Sequence, residues 1–180
     1  MVKKVEAHAD PDDYVLVVSR IFDAPRELVF AMWTDINHLK NWMGPDDYPA
    51  VRAEGDLRPG GAWRVCLRSK NGGRNLWQRG VYREILEPER LAYTFLWDQE
   101  DGAPGHEMLV TITFEDNGGK TLVTLRQAVF ETIENRDGHR WDCQESCVWG
   151  HSRTAGGGLW RSRRTHWTNF SGDAIRRTYF

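Results

Sequence analysis

Five turn signals cut the middle of this chain into runs too short to be helices. They are Arg58-Pro59-Gly60-Gly61, Lys70-Asn71-Gly72-Gly73, Glu87-Pro88-Glu89, Asp101-Gly102-Ala103-Pro104-Gly105 and Asp116-Asn117-Gly118-Gly119. Glycine takes positive φ at no steric cost and proline presets φ, so such clusters end an element rather than continue it. The runs they bound, Ala62 to Arg68, Leu76 to Leu86, Leu91 to Trp97, Met108 to Glu115 and Thr121 to Ala128, are rich in β-branched and aromatic residues and read as strands. Tyr14 to Phe22 and Ala50 to Asp56 add two more. The links between the central strands are of hairpin length, whereas parallel neighbours need a crossover of about a dozen residues or more, so the sheet is an antiparallel meander.

Period-two alternation identifies the dry face of that sheet. Trp63, Val65 and Leu67 alternate with Arg64, Cys66 and Arg68, and Val110, Ile112 and Phe114 alternate with Leu109, Thr111 and Thr113. Leu91, Tyr93, Phe95 and Trp97 continue the same face. An apolar face of this size needs a cover, and the expected cover is a C-terminal helix. Between the first two strands, Asp23 is placed to cap a helix with Pro25 in its first turn and with Leu28, Val29, Met32 and Trp33 at helical spacing. A second helix, Ile36 to Met43, stops at Gly44-Pro45.

These residues resemble the START-like, helix-grip (SRPBCC) superfamily, and within it the branch named after the C-terminal domain of the activator of Hsp90 ATPase. The resemblance is carried by Arg20-Ile21-Phe22-Asp23-Ala24-Pro25, Trp33-Thr34-Asp35, His38-Leu39 with Trp42-Met43-Gly44-Pro45, and Asp56 through Gly61. Gly80 through Ile85 with Pro88 through Leu91, Gly105-His106-Glu107, and Gly119-Lys120-Thr121 with Leu125 extend it over about residues 14 to 140. It implies an α+β fold: a curved antiparallel sheet of six to seven strands, two short helices and a long C-terminal helix. In many members a cavity between sheet and helix holds lipids, polyketides or other apolar molecules.

The chain departs from the family pattern after Asn135-Arg136-Asp137-Gly138-His139-Arg140, where an amphipathic helix rich in Leu, Ala and Glu is usual. Trp141 to Arg164 is poor in helix formers and is interrupted by Gly156-Gly157-Gly158, so a shortened helix at Asp137 to Trp149, ending near Gly150, is predicted. The abrupt change points to a shifted reading frame or a divergent terminus. The expected organisation is a polar leader at 1–12, a helix-grip domain at 13–150 and an Arg-, Trp- and Gly-bearing tail at 151–180. With its cover shortened, the aromatic face of the sheet is expected to pair with a second copy or to bind dyes.

Charge and cysteine usage narrow the function. A net charge of -2 argues against a nucleic-acid partner, no run is apolar enough for a membrane span, and three cysteines form no disulfide framework, so a reduced, cytoplasmic setting is expected. His139, Cys143, Cys147 and His151 are spaced by four, yet in a helix the outer two would lie about 18 Å apart, so they cannot share one ion and no metal is expected. Trp149, Trp160 and Trp167 interleave with Arg153, Arg161, Arg163 and Arg164, but the overall charge does not support reading them as a base-stacking surface. No phosphate loop, nucleophile elbow or dinucleotide fingerprint occurs, and no cofactor is expected.

The strongest functional signal is aromatic. Trp33, Trp42, Trp63, Val65, Tyr82, Tyr93, Phe95, Trp97 and Met108 are the expected walls of a cavity for an apolar or aromatic small molecule, with Glu84 and His106 as its polar groups. Two other readings stay open. One is a chaperone-interacting module, as the family name implies; the other is a cyclase-like enzyme acting on a polyketide-type ligand through Glu84 or His106. Catalysis is not the favoured reading, because no catalytic set is legible.

Overall fold

The computed structural model describes residues 11–45 and 47–142. A short 3-10 turn, Pro11–Tyr14, leads into β1 (Val15–Phe22), followed by α1 (Arg26–Thr34), α2 (Ile36–Trp42), β2 (Ala50–Gly55) and β3 (Ala62–Arg68). Then come β4 (Asn75–Leu86), β5 (Arg90–Trp97), β6 (Met108–Asn117), β7 (Lys120–Ala128) and α3 (Ile133–Asp142). The seven strands form one sheet in the order β1-β7-β6-β5-β4-β3-β2, and every pair is antiparallel. β1 and β2, consecutive strands, therefore lie at opposite edges, and α1 and α2 carry the chain across from one to the other. This is the expected α+β helix-grip architecture, with a C-terminal helix described over Ile133–Asp142.

The alternation read from the sequence matches the observed burial. Trp63, Val65, Leu67, Leu91, Phe95, Val110, Ile112 and Phe114 are buried, while Leu109, Arg64 and Arg68 are exposed. One face of the sheet thus carries the core, which divides in two. Under α1 and α2, Phe30 and Trp33 meet Phe114 edge-on at ring-centroid distances of 5.3 and 6.3 Å, and Trp42 lies 4.7 Å from Trp33. The other half lies beneath α3.

Where these halves meet, the β4–β5 ladder opens. Regular pairing runs through Gln78↔Trp97 and Arg79↔Leu96 and resumes at Tyr82↔Tyr93. In the gap, Trp63 Nε1 donates to Thr94 O at 3.2 Å and Val81 N donates to Thr94 Oγ1 at 3.0 Å, so the freed backbone groups keep partners. Gly80 makes this possible: a Cβ there would stand 1.6 Å from Thr94 O and 2.7 Å from Trp63 Nε1. A register shift between Tyr82 and Glu84 follows immediately. Bulges of this kind bend a strand, which lets one face of the sheet wrap around a helix.

The helices differ from the sequence reading in four respects. Pro25, not Asp23, is the N-cap of α1; its carbonyl accepts from Leu28 N and Val29 N, both at 3.1 Å, while Asp23 pairs with Lys120 at 3.3 Å. Two residues separate Asp23 from the first helical turn, too many for its carboxylate to cap. Leu28 is on the exposed side of α1, and α2 stops at Trp42 because Met43 is extended. α3 starts at Ile133, four residues before the predicted Asp137, because Thr132 Oγ1 accepts from Asn135 N at 3.1 Å. Arg136 ties this helix to the N-terminal turn by donating to Asp13 O. Thr132→Ala should lower stability by about 1 kcal/mol in urea denaturation, whereas Thr132→Ser should leave it nearly unchanged. Residues 1–10 of the leader, the 151–180 tail and the expected helix end near Gly150 lie outside the described residues, as do Cys143, Cys147 and His151.

Candidate functional site

A cavity of about 770 Å³ lies between the sheet and α3. Its floor comprises Gln78 on β4, Tyr93, Phe95 and Trp97 on β5, Met108 and Val110 on β6, and Leu125 and Gln127 on β7. These residues share one face because each is an even number of positions from its inward neighbours along its own strand. Phe130, Asn135 and His139 form the roof, and the α2–β2 link contributes Met43 and Tyr48. The exposed lining residues Arg74, Glu100, Asp101, His106 and Glu131 mark the rim.

Of the nine expected wall residues, Tyr93, Phe95, Trp97 and Met108 line this space. Trp33 and Trp42 lie in the α1–α2 half of the core, with Trp42 Nε1 donating to Met32 O at 3.0 Å. Trp63 and Tyr82 back the wall, packing edge-on against Tyr93 at 5.4 and 6.2 Å. Val65 is fully buried opposite Gln78. Alternation placed Trp63, Val65, Tyr93, Phe95 and Trp97 on the dry face, but it could not tell a residue packed within the core from one facing the cavity beneath α3.

The two expected polar groups sit elsewhere than in the floor. Glu84 is exposed and pairs with Arg90 at 2.9 Å, because the register shift in β4 directs it away from the dry face. His106 is an exposed rim residue whose Nε2 bonds to Val129 O at 2.5 Å. A carbonyl only accepts, so His106 Nε2 carries the proton. The bond holds the corner between β7 and α3, where Val129 adopts a φ of 67°, unusual for a β-branched residue.

The buried polar groups are ones the sequence reading did not select. His139 contributes to no metal cluster among the described residues. Its ring packs edge-on against Phe95, Trp97 and Phe130 at 5.5, 6.4 and 5.1 Å, and burial pushes its pKa down to about 3. Nε2 accepts from Trp97 Nε1 at 3.2 Å, so the neutral ring carries its proton on Nδ1. Gln78 and Gln127 are 4% and 5% exposed. Gln127 Nε2 reaches the Met108 sulfur at 3.3 Å, a weak acceptor, and among the described residues no side-chain hydrogen bond is made by Gln78. Among the described residues the fully buried polar side-chain atoms without a hydrogen-bond partner include none from either glutamine, so the carboxamides open onto the cavity rather than being sealed in the core. A polar residue in the inward phase of an otherwise apolar strand was the legible signal for each.

The ionic lining residues lie at the exposed rim, with the exception of Asp98. Asp98, whose side chain is 6% exposed, sits between Arg64 Nη2 at 2.8 Å and Arg79 Nε at 2.7 Å, and Arg64 stacks over Trp77 at 3.9 Å. Arg74 pairs with Glu100 at 2.8 Å. Cys66 is buried in β3, and desolvation pushes its thiol up despite the nearby Arg68, Arg64 and Arg52, so it is protonated and unreactive at neutral pH.

A sheet gripping a C-terminal helix over an internal cavity places the chain in the START-like (SRPBCC) superfamily. The family model described as "Activator of Hsp90 ATPase homolog 1-like protein" matches residues 23–148, and the chain belongs to that family. Among solved structures, the AHSA1 protein of Silicibacter pomeroyi is similar, with 23% identity, a TM-score of 0.67, and coverage of 74% of this chain and 92% of that one. A protein of Arthrobacter aurescens follows with 22% identity, a TM-score of 0.66, and coverage of 78% and 86%. A Rhodobacter sphaeroides protein has 23% identity, a TM-score of 0.62, and coverage of 75% and 85%. At these identities the likeness is one of fold. No curated protein matches the chain significantly. Among the described residues no helix is long and apolar enough to cross a membrane.

Proposed function

We propose that this protein binds an apolar or aromatic small molecule between its sheet and α3. The observation that carries this reading is the cavity of about 770 Å³ floored by Tyr93, Phe95, Trp97, Met108, Val110 and Leu125. Small-molecule sites commonly occupy about 300–1,000 Å³ and are mostly apolar with a few polar groups, a description this space fits. Each 100 Å² of apolar ligand surface buried there contributes roughly 2.5 kcal/mol before the costs of immobilisation. The domain doing so is 13–150, in the cytoplasm. Nile red, an uncharged aromatic dye, should bind the full chain with one-to-one stoichiometry by fluorescence titration. Met108→Trp, which fills the floor, should weaken that binding at least about tenfold. Unchanged affinity in a folded variant would mean the dye sits elsewhere.

Glu84 and His106 are engaged in a surface ion pair and a corner hydrogen bond, so neither is poised as an acid or base in the cavity, and catalysis is not part of the proposal. A second reading, contact with a chaperone ATPase, is favoured by the description of the matched family alone. Its test is the steady-state ATPase rate of Hsp90 with and without the full chain; an unchanged rate removes it. Pairing of two copies across the sheet would appear as a doubled mass in light scattering.

A further inference from the structure

We infer that Gln78 and Gln127 are the specificity-determining anchors of this cavity, and that its ligand is an elongated, uncharged aromatic molecule with a hydrogen-bonding carbonyl or amide group at each end. The inference rests on the cavity reading above and deepens it. Both carboxamides line the cavity, and both are more than nine-tenths buried. Among the described residues, the hydrogen bonding of Gln78 and Gln127 side chains within the protein amounts to the one contact of Gln127 with the Met108 sulfur. A carboxamide offers two donors and an acceptor, so each can serve a ligand group that both gives and receives hydrogen bonds.

The pairing register separates the two anchors. Gln127 lies opposite Val110, Val110 opposite Tyr93 and Tyr93 opposite Tyr82, while Gln78 is on the same strand as Tyr82, closer to its start. The offset is three strand spacings across and four residues along, about 14 Å each way measured on the sheet. Met108 and Phe95, which pair with each other, lie on the diagonal between them. The path from one amide to the other is therefore an apolar, aromatic strip with a polar group at each end.

The floor and roof also exclude charge. Their side chains are uncharged at neutral pH, His139 included, and the ionic lining residues lie at the exposed rim or, like Asp98, already face two guanidinium groups. A carboxylate carried into this interior would lose its hydration without meeting a cation.

Three biphenyl probes test the inference on the full chain: one bearing a carboxamide at each para end, one a carboxylate at each end, and one a methyl group at each end. The dicarboxamide should bind at least about tenfold more tightly than either relative, read by quenching of tryptophan fluorescence and confirmed by calorimetry. Gln78→Leu and Gln127→Leu should each remove most of the preference for the dicarboxamide over the dimethyl probe. If the dimethyl probe binds as well as the dicarboxamide, or the dicarboxylate binds best, the anchors are wrongly assigned although the cavity still takes apolar ligands. If none of the three binds, the cavity reading falls together with the inference. Should the leucine variants fail to fold, the ranking of the three probes on the unaltered protein decides alone.

Discussion

Replacing Trp63 by alanine will lower folding stability by about 3–5 kcal/mol, the range for removing a large, fully packed aromatic side chain. Trp63 is 5% exposed, packs against Tyr93 and Phe95, and closes the gap in the β4–β5 ladder through its bond to Thr94 O. Truncation therefore empties space that the surrounding strands cannot refill, and it leaves a buried carbonyl without its donor. Phe95→Ala makes the informative comparison. Phe95 has similar burial but lines the cavity, so part of its surface already lacks protein neighbours and its removal widens an existing space. Its loss should be roughly half that of Trp63→Ala, and urea denaturation of the two variants measures the difference. Equal losses would mean that the Phe95 ring is packed on all sides.

Acidification will destabilise the protein through His139. Its folded pKa of about 3 lies below the ordinary 6.5 of an unfolded chain, so between these values the unfolded state holds a proton that the folded state does not. The stability this group contributes is fully present above pH 6.5, falls as pH drops below it, and is exhausted near pH 3. By pH 5 the loss from this residue should reach about 2 kcal/mol. Denaturation midpoints at pH 7, 6 and 5 measure it, and His139→Phe isolates it: the ring packing survives and this part of the pH slope disappears. A slope unchanged in the variant would show that other groups control the acid transition. Because Phe95, Trp97 and Phe130 enclose this ring, protonation would disturb the roof of the cavity as well as the fold.

Seven strands, their antiparallel pairing and the dry face were legible in the sequence by itself, because each is written locally. Gly72, Gly102, Gly118 and Gly119 take the positive φ that their turns require, and a strand's side chains alternate whatever lies above them. The family was legible for a related reason, since its motifs are the turns and helix starts on which this sheet depends. What the alternation could not supply was depth and neighbourhood. Phe114, Trp63 and Phe95 carry the same inward signal, yet one meets Phe30 and Trp33 of α1, one fills a broken ladder and one lines the cavity. Those differences arise from strand order, which brings β1 beside β7 and sets β2 at the far edge, a long-range choice with no local signature. Glu84 faces outward for the same reason, since a register shift one residue away turns its side chain from the dry face. Only the tertiary structure showed that Gln78, Gln127 and His139, residues from two strands and a helix more than ten positions apart in sequence, share one cavity. The folded chain brings them together because burial of its apolar face, not attraction among polar groups, determines where the strands and α3 meet.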